Sequence, residues 1–205
     1  MSQYLTMAQL VVLGSNLCSK YYLDPDTKEI MHRKSLTTRE RIARYLDTGE
    51  KIYGAGKAKK ALVYVEDRSA SPMETKTHVL VCLPLHKGGH GFAKPVFNYE
   101  VNPGRYAHLA EQGHFEIDLC WVDEKVGIEY FGEKEHPDPI RDRRRLDALG
   151  ALGWKIVVVD KRRLANPDSF EIAMKQVARH LGRRIRKPDG WAEKNLALRR
   201  EIGIA

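Results

Sequence analysis

His114-Phe115-Glu116-Ile117-Asp118-Leu119-Cys120-Trp121 alternates apolar and polar residues. It is followed by Val122-Asp123-Glu124-Lys125 and then by Val126-Gly127-Ile128-Glu129-Tyr130-Phe131. Phe115, Ile117, Leu119 and Trp121 fall on one face of an extended chain, and Glu116, Asp118 and Cys120 fall on the other, the pattern of a half-buried strand. The middle segment reads as a turn and the last as a second strand. A turn symmetric about Asp123 and Glu124 sets Asp118 directly opposite Glu129, with Cβ atoms about 5 Å apart. Two carboxylates so placed repel unless a positive charge lies between them. A hard cation with oxygen preference, such as Mg²⁺, suits that geometry. A solvent-exposed pair on the hairpin surface is the competing reading.

Beyond Gly132 the chain passes His136, Pro137 and Pro139 into a predicted helix from Ile140 to Leu152. Arg141, Arg143, Arg144 and Arg145 lie near its start, Leu146, Leu149 and Leu152 form its apolar stripe, and Gly153 ends it. Trp154 to Val159 is almost continuously apolar, as expected of a strand covered on both faces. A strand, a basic helix and a buried strand in that order predict a βαβ crossover. Asn166 and Pro167 then start a helix with Phe170, Met174, Val177 and Leu181 on one stripe.

Upstream, Ser71-Pro72-Met73-Glu74 has N-cap, first-turn proline and capping-box acid in register, predicting a helix to about Leu83. Gly88, Gly89 and Gly91 mark a loop, with His86 and His90 as loop residues, and Pro95 to Tyr99 a short strand. Residues 1–66 read as mainly helical. Thr37-Thr38-Arg39-Glu40 has a capping-box pattern opening a helix through Ile42, Tyr45 and Leu46. Gly54-Ala55-Gly56 precedes a second helical stretch, Lys57 to Val65. The two helices fit either a helix-turn-helix or a small packing subdomain. Tyr21 to Lys34 reads as loop or hairpin. The expected organisation is a helical region over 1–68, an α/β domain over 69–187 and a helical tail over 188–205.

Hydrophobic residues at 42% and charged residues at 30% exclude a disordered chain, and no apolar run exceeds a few residues, so no membrane association is expected. No export signal is read at the N-terminus, and three widely spaced cysteines, Cys18, Cys82 and Cys120, predict a reducing, cytoplasmic setting without a disulfide framework. The net charge of +8 is concentrated: residues 141–187 hold 14 Lys and Arg against 5 Asp and Glu, leaving the remainder nearly neutral. A concentrated basic surface suits a polyphosphate partner, because each neutralised phosphate releases counterions. A merely solvated helix face is the alternative.

This order of motifs resembles the PD-(D/E)XK nuclease superfamily, and within it the small Vsr-like proteins related to very-short-patch-repair endonucleases. The resembling residues are Ser71 to Glu74, Phe115 to Asp118, Val126 to Gly132, His136, Arg141 to Arg144 and Gly153 to Ile156. The resemblance implies a restriction-endonuclease-like α/β fold, a mixed central sheet flanked by helices. It implies metal ligation of Mg²⁺ or Mn²⁺ by Asp118 and Glu129, with Glu74 as the extra acid on the first helix and His136 as the family's histidine. The metal would polarise a phosphodiester and acidify a water, while His136 moves a proton. Arg141, Arg143, Arg144 and Lys134 would grip phosphates of DNA, expected to be double-stranded. One departure stands out. The family's Glu-x-Lys would place lysine at 131, where this chain has Phe131.

Three functions compete. The first is a metal-dependent DNA endonuclease. The second is a nuclease-fold DNA-binding or regulatory protein without catalysis. The third is a structural domain whose basic helix meets an acidic protein.

Overall fold

The computed structural model describes residues 4–27, 29–48, 52–110, 112–132 and 138–204. The chain folds into two compact units. One comprises the residues up to Lys94 together with those from Lys187 onward, and the other is Pro95–Arg186. The division differs from the 68/69 and 187/188 boundaries expected from sequence. The proline-capped helix and the C-terminal helix both belong to the first unit.

The first unit is built from α1 (Met7–Cys18), a hairpin of β1 (Tyr21–Leu23) and β2 (Ile30–His32), α2 (Arg39–Leu46), α3 (Ala55–Leu62) and α4 (Pro72–Cys82). Thr6 and Gln9 close a reciprocal capping box at the start of α1. For α2 the cap is Thr38, whose hydroxyl accepts from Arg41 N–H, and not the Thr37–Glu40 pair that the sequence pattern suggests. α3 begins earlier than Lys57, with Gly54 in the left-handed conformation at its N-cap, and ends at Leu62, short of Val65. In α4, Val79, Leu80 and Val81 are wholly buried and Ser71 caps the helix as expected. The final helix of the chain, Trp191–Glu201, returns to this unit: Trp191 Nε1–H donates to Gly89 O at 2.8 Å and Asn195 Nδ2–H to Gly88 O at 2.7 Å. A Cβ at Gly89 would lie 2.0 Å from Leu83 O, so the turn admits only glycine there. His90, expected in an open loop, is buried, its Nδ1 at 3.0 Å from Leu80 O and its ring edge-on to Trp191.

The second unit is α/β, with a mixed four-stranded sheet. Its strands, β3 (Val96–Val101), β4 (Phe115–Trp121), β5 (Val126–Phe131) and β6 (Lys155–Asp160), follow one another in spatial order. The first three are antiparallel neighbours and β5 pairs with β6 in parallel through the crossover helix α5 (Pro139–Ala151). α6 (Lys161–Ala165) and α7 (Pro167–His180) follow β6, making the C-terminal helix above α8. Val101, Phe115, Ile117, Ala148, Leu149 and Trp154 form a buried cluster between the sheet and α5. Cys120 joins that cluster too. Strict alternation would place it on the opposite face from Phe115 and Ile117, so the pattern expected over His114 to Trp121 breaks within β4. The break lies between Ile117 and Cys120. On the neighbouring strand, Asn98 holds φ +48°, and the paired residues on either side are Phe97 with Leu119 and Tyr99 with Ile117.

Candidate active site

β4 and β5 pair as Trp121–Val126, Cys120–Gly127 and Leu119–Ile128. The same register continued by one residue sets Asp118 against Glu129, as the symmetric turn predicts. There the side chain takes over from the ladder: Asp118 Oδ2 accepts from Tyr130 N–H at 2.6 Å. Asp118 is half-buried and Glu129 is 3% exposed.

An ionised carboxylate that deep requires compensation. Arg145 supplies it from the second turn of α5, donating from Nη2 to Glu129 Oε1 at 2.8 Å and also to the main-chain carbonyl of Glu116. Burial alone would lower the Arg145 pKa, but the charge of Glu129, its hydrogen bond, and then Asp118 and Asp142 together raise it above the ordinary value. The guanidinium is therefore bonded to Glu129 and lies within the electrostatic reach of Asp118 on the neighbouring strand. The hairpin pair is not a solvent-exposed one, and part of the positive charge it needs is protein-borne. Cys120 lies beside it with a thiol pushed up to about 12, by burial first and by Glu129 second, so it is neutral at physiological pH.

Arg145 was the site residue least visible in the arginine run. Its signal is positional: Ala148 and Leu149, three and four residues on, are the buried side chains of α5, so the inward stripe of the helix passes through Arg145. Arg143 and Arg144 are exposed, as is Arg141. Arg141 lies one turn before Arg145, and both line a pocket of about 200 Å³ with Leu109, His114 and Glu116. Asp138, not singled out from sequence, caps α5 by accepting from the N–H groups of Ile140 and Arg141 at 3.0 and 3.1 Å.

Phe131 is half-buried at the end of β5, aligned with Asp160 of β6. Glu74 belongs to α4 in the first unit. Its N–H donates to Ser71 Oγ at 3.1 Å, and its Oε2 accepts from Ala70 N–H at 2.9 Å, one residue short of the reciprocal capping box. Lys134 and His136 lie outside the described residues.

A second group was not anticipated. One ligand atom from each of Glu100, His114 and Glu116 lies within 4.8 Å of the other two. Glu100 and Glu116 are direct partners across β3 and β4, and His114 stands two residues before Glu116. The alternation of polar residues along β4 was the available signal, but the register of β3 against β4 was needed to bring Glu100 in. No helix among the described residues is long and apolar enough to cross a membrane. No family model, curated protein or solved structure matches the chain.

Proposed function

We propose that Pro95–Arg186 is a restriction-endonuclease-like domain that hydrolyses phosphodiester bonds of DNA with a divalent metal. The observation that carries the reading is the meeting of Asp118, Glu129 and Arg145 where a side chain replaces the β4–β5 ladder. The mixed sheet with its parallel β5–α5–β6 crossover supports it. In open α/β sheets, ligands gather beyond the carboxyl ends of parallel strands, and Glu129 is in the carboxyl-terminal half of β5.

The donor set fits Mg²⁺ or Mn²⁺. Asp118 and Glu129 would hold the ion, because each carboxylate has several lone pairs and one hydrogen bond does not exhaust them. When bound, the metal supplies Lewis-acid polarisation of the phosphate and acidification of a water. The chain's own residues do the rest. Tyr130 N–H orients Asp118. Arg145 fixes the Glu129 carboxylate and keeps positive charge beside it at every accessible pH. Exposed Arg141, Arg143 and Arg144, on the first turns of α5, attract the phosphate backbone. Phe131 cannot perform the proton and orienting work of a lysine, and an arginine does not deprotonate. Arg145 therefore replaces the charge of the motif lysine without replacing its acid–base capacity.

That limit gives specific weight to a second reading, a nuclease-fold DNA binder without catalysis. Supercoiled plasmid incubated with the full chain and Mg²⁺ or Mn²⁺ separates the two. Nicking that is lost in Asp118→Asn supports hydrolysis. Salt-sensitive DNA binding that is indifferent to chelator, without nicking, supports the binder.

A further inference from the structure

We propose that Glu100, His114 and Glu116 form a metal site of their own, selective for a divalent ion that accepts nitrogen as well as oxygen, of the Zn²⁺, Co²⁺ or Mn²⁺ class. The ligand set, two carboxylates and an imidazole, differs in chemistry from the all-carboxylate pair Asp118 and Glu129. The site therefore does not depend on the cleavage reading.

Three observations converge. First, the ligand atoms lie within 4.8 Å of one another. Ions that bind imidazole and carboxylate at about 2.1 Å keep their ligands up to about 4.2 Å apart, so closure takes a small rotation of exposed Glu100. Secondly, Glu100 and Glu116 are registered partners in an antiparallel ladder. The register fixes the spacing of the two carboxylates, and a bound cation would make them a chelating pair across the strands. Thirdly, His114 and Glu116 are half-buried. Among the described residues neither side chain makes a hydrogen bond or an ion pair, although Arg141 and Arg145 line the same pocket. The Arg145 guanidinium is turned instead to the main-chain carbonyl of Glu116 and to Glu129. A half-buried imidazole and a half-buried carboxylate that line one pocket and lack partners among the described residues are placed to accept a ligand.

Three protein ligands leave coordination positions open, as in sites that bind a further anion or water rather than in closed structural ones. The imidazole sets the selectivity: it favours the borderline transition metals over Mg²⁺ and Ca²⁺.

The test uses the full, tag-free chain and no nucleic acid. Zn²⁺ and Mn²⁺ are titrated calorimetrically, and Co²⁺ is followed by its visible absorption. Wild type is compared with His114→Ala, Glu116→Gln, Glu100→Gln and Asp118→Asn, each checked for folding by circular dichroism. The expected result is one Zn²⁺ or Co²⁺ per chain, weakened at least tenfold in the first three variants and retained in Asp118→Asn, with Mg²⁺ unable to compete at equal concentration. Glu100 is exposed, so its variant stays informative if a substitution at half-buried His114 or Glu116 fails to fold. Absence of saturable Zn²⁺ and Co²⁺ binding in wild type overturns the site. So does binding that survives His114→Ala and Glu100→Gln, or binding lost in Asp118→Asn. A plasmid that stays intact counts against hydrolysis at Asp118 and leaves this result untouched.

Discussion

Arg145 of α5 meets Glu129 of β5 at 2.8 Å, with the glutamate side chain 3% exposed and the arginine 20% exposed. The crossover helix, packed on β4 through the apolar cluster around Leu149, is thereby joined to the strand it follows by a charge pair. Removing one partner of such a pair leaves the other charged in a poor solvent.

Arg145→Met is accordingly expected to cost about 3 kcal/mol of stability at neutral pH. Glu129→Gln combined with it should recover a substantial part, because the stranded charge is then gone. Urea denaturation of the two single variants and the double variant reads the coupling directly. Additive effects would show that the pair contributes nothing beyond its separate members.

Asp118 carries a structural bond and a proposed chemical task, and two substitutions separate them. Asparagine keeps an oxygen for Tyr130 N–H and alanine does not. Asp118→Ala should lose about 1–3 kcal/mol as a buried donor is orphaned, whereas Asp118→Asn should remain near wild-type stability. Both should fall to the background rate of nicking. Wild-type nicking in Asp118→Asn would remove the carboxylate from the mechanism.

Arg143 and Arg144 are exposed on α5. Replacing both by alanine should leave thermal stability unchanged while weakening DNA binding across sequences. Each lost phosphate contact should reduce the slope of log affinity against log salt by about 0.9. Fluorescence anisotropy of a labelled duplex over a salt series measures it, and an unchanged slope would place the phosphate contacts elsewhere.

His78 gives the first unit a defined acid response. It is fully buried, with Nε2–H donating to Tyr64 O at 2.8 Å and Nδ1 at 3.5 Å from Cys82 Sγ. Burial lowers its pKa from 6.5 to about 4, opposed by the Tyr64 hydrogen bond and assisted by Lys94. A histidine depressed in the folded state binds its proton first in the unfolded chain. Its stabilisation is complete above pH 6.5 and is lost as pH falls from 6.5 towards 4. The loss amounts to on the order of 3 kcal/mol over that window. His78→Gln should flatten this slope in urea midpoints taken between pH 7 and pH 4.5. An unaltered slope would assign the acid sensitivity to other groups.

The parts of this fold that local pattern controls were legible in the chain. Ser71 and Pro72 start α4, Asn166 and Pro167 start α7, and the symmetric turn at Asp123 and Glu124 sets the β4–β5 register. The mixed sheet followed from that hairpin and the apolar run of β6. What escaped depended on contacts distant in sequence. Glu100 meets Glu116 only through the β3–β4 register, and Cys120 joins the apolar cluster against strict alternation, beside a β3 strand that takes a positive φ at Asn98. Arg145 looked like one arginine among four until the inward stripe of α5 separated it from Arg143 and Arg144.

The first unit has a discontinuous sequence, and this bears on the order of events during synthesis. Pro95–Arg186 is one uninterrupted segment, so every residue it packs together is synthesised before Lys187. The first unit begins earlier yet is completed later, since Gly88 and Gly89 receive Asn195 and Trp191 from beyond that segment. The inserted unit thus finds all its partners within one continuous stretch, whereas its host needs both flanking segments before its core is complete. A stop codon shortly after Arg186 would spare the inserted unit and leave the host with the Gly88–Gly89 turn unclasped.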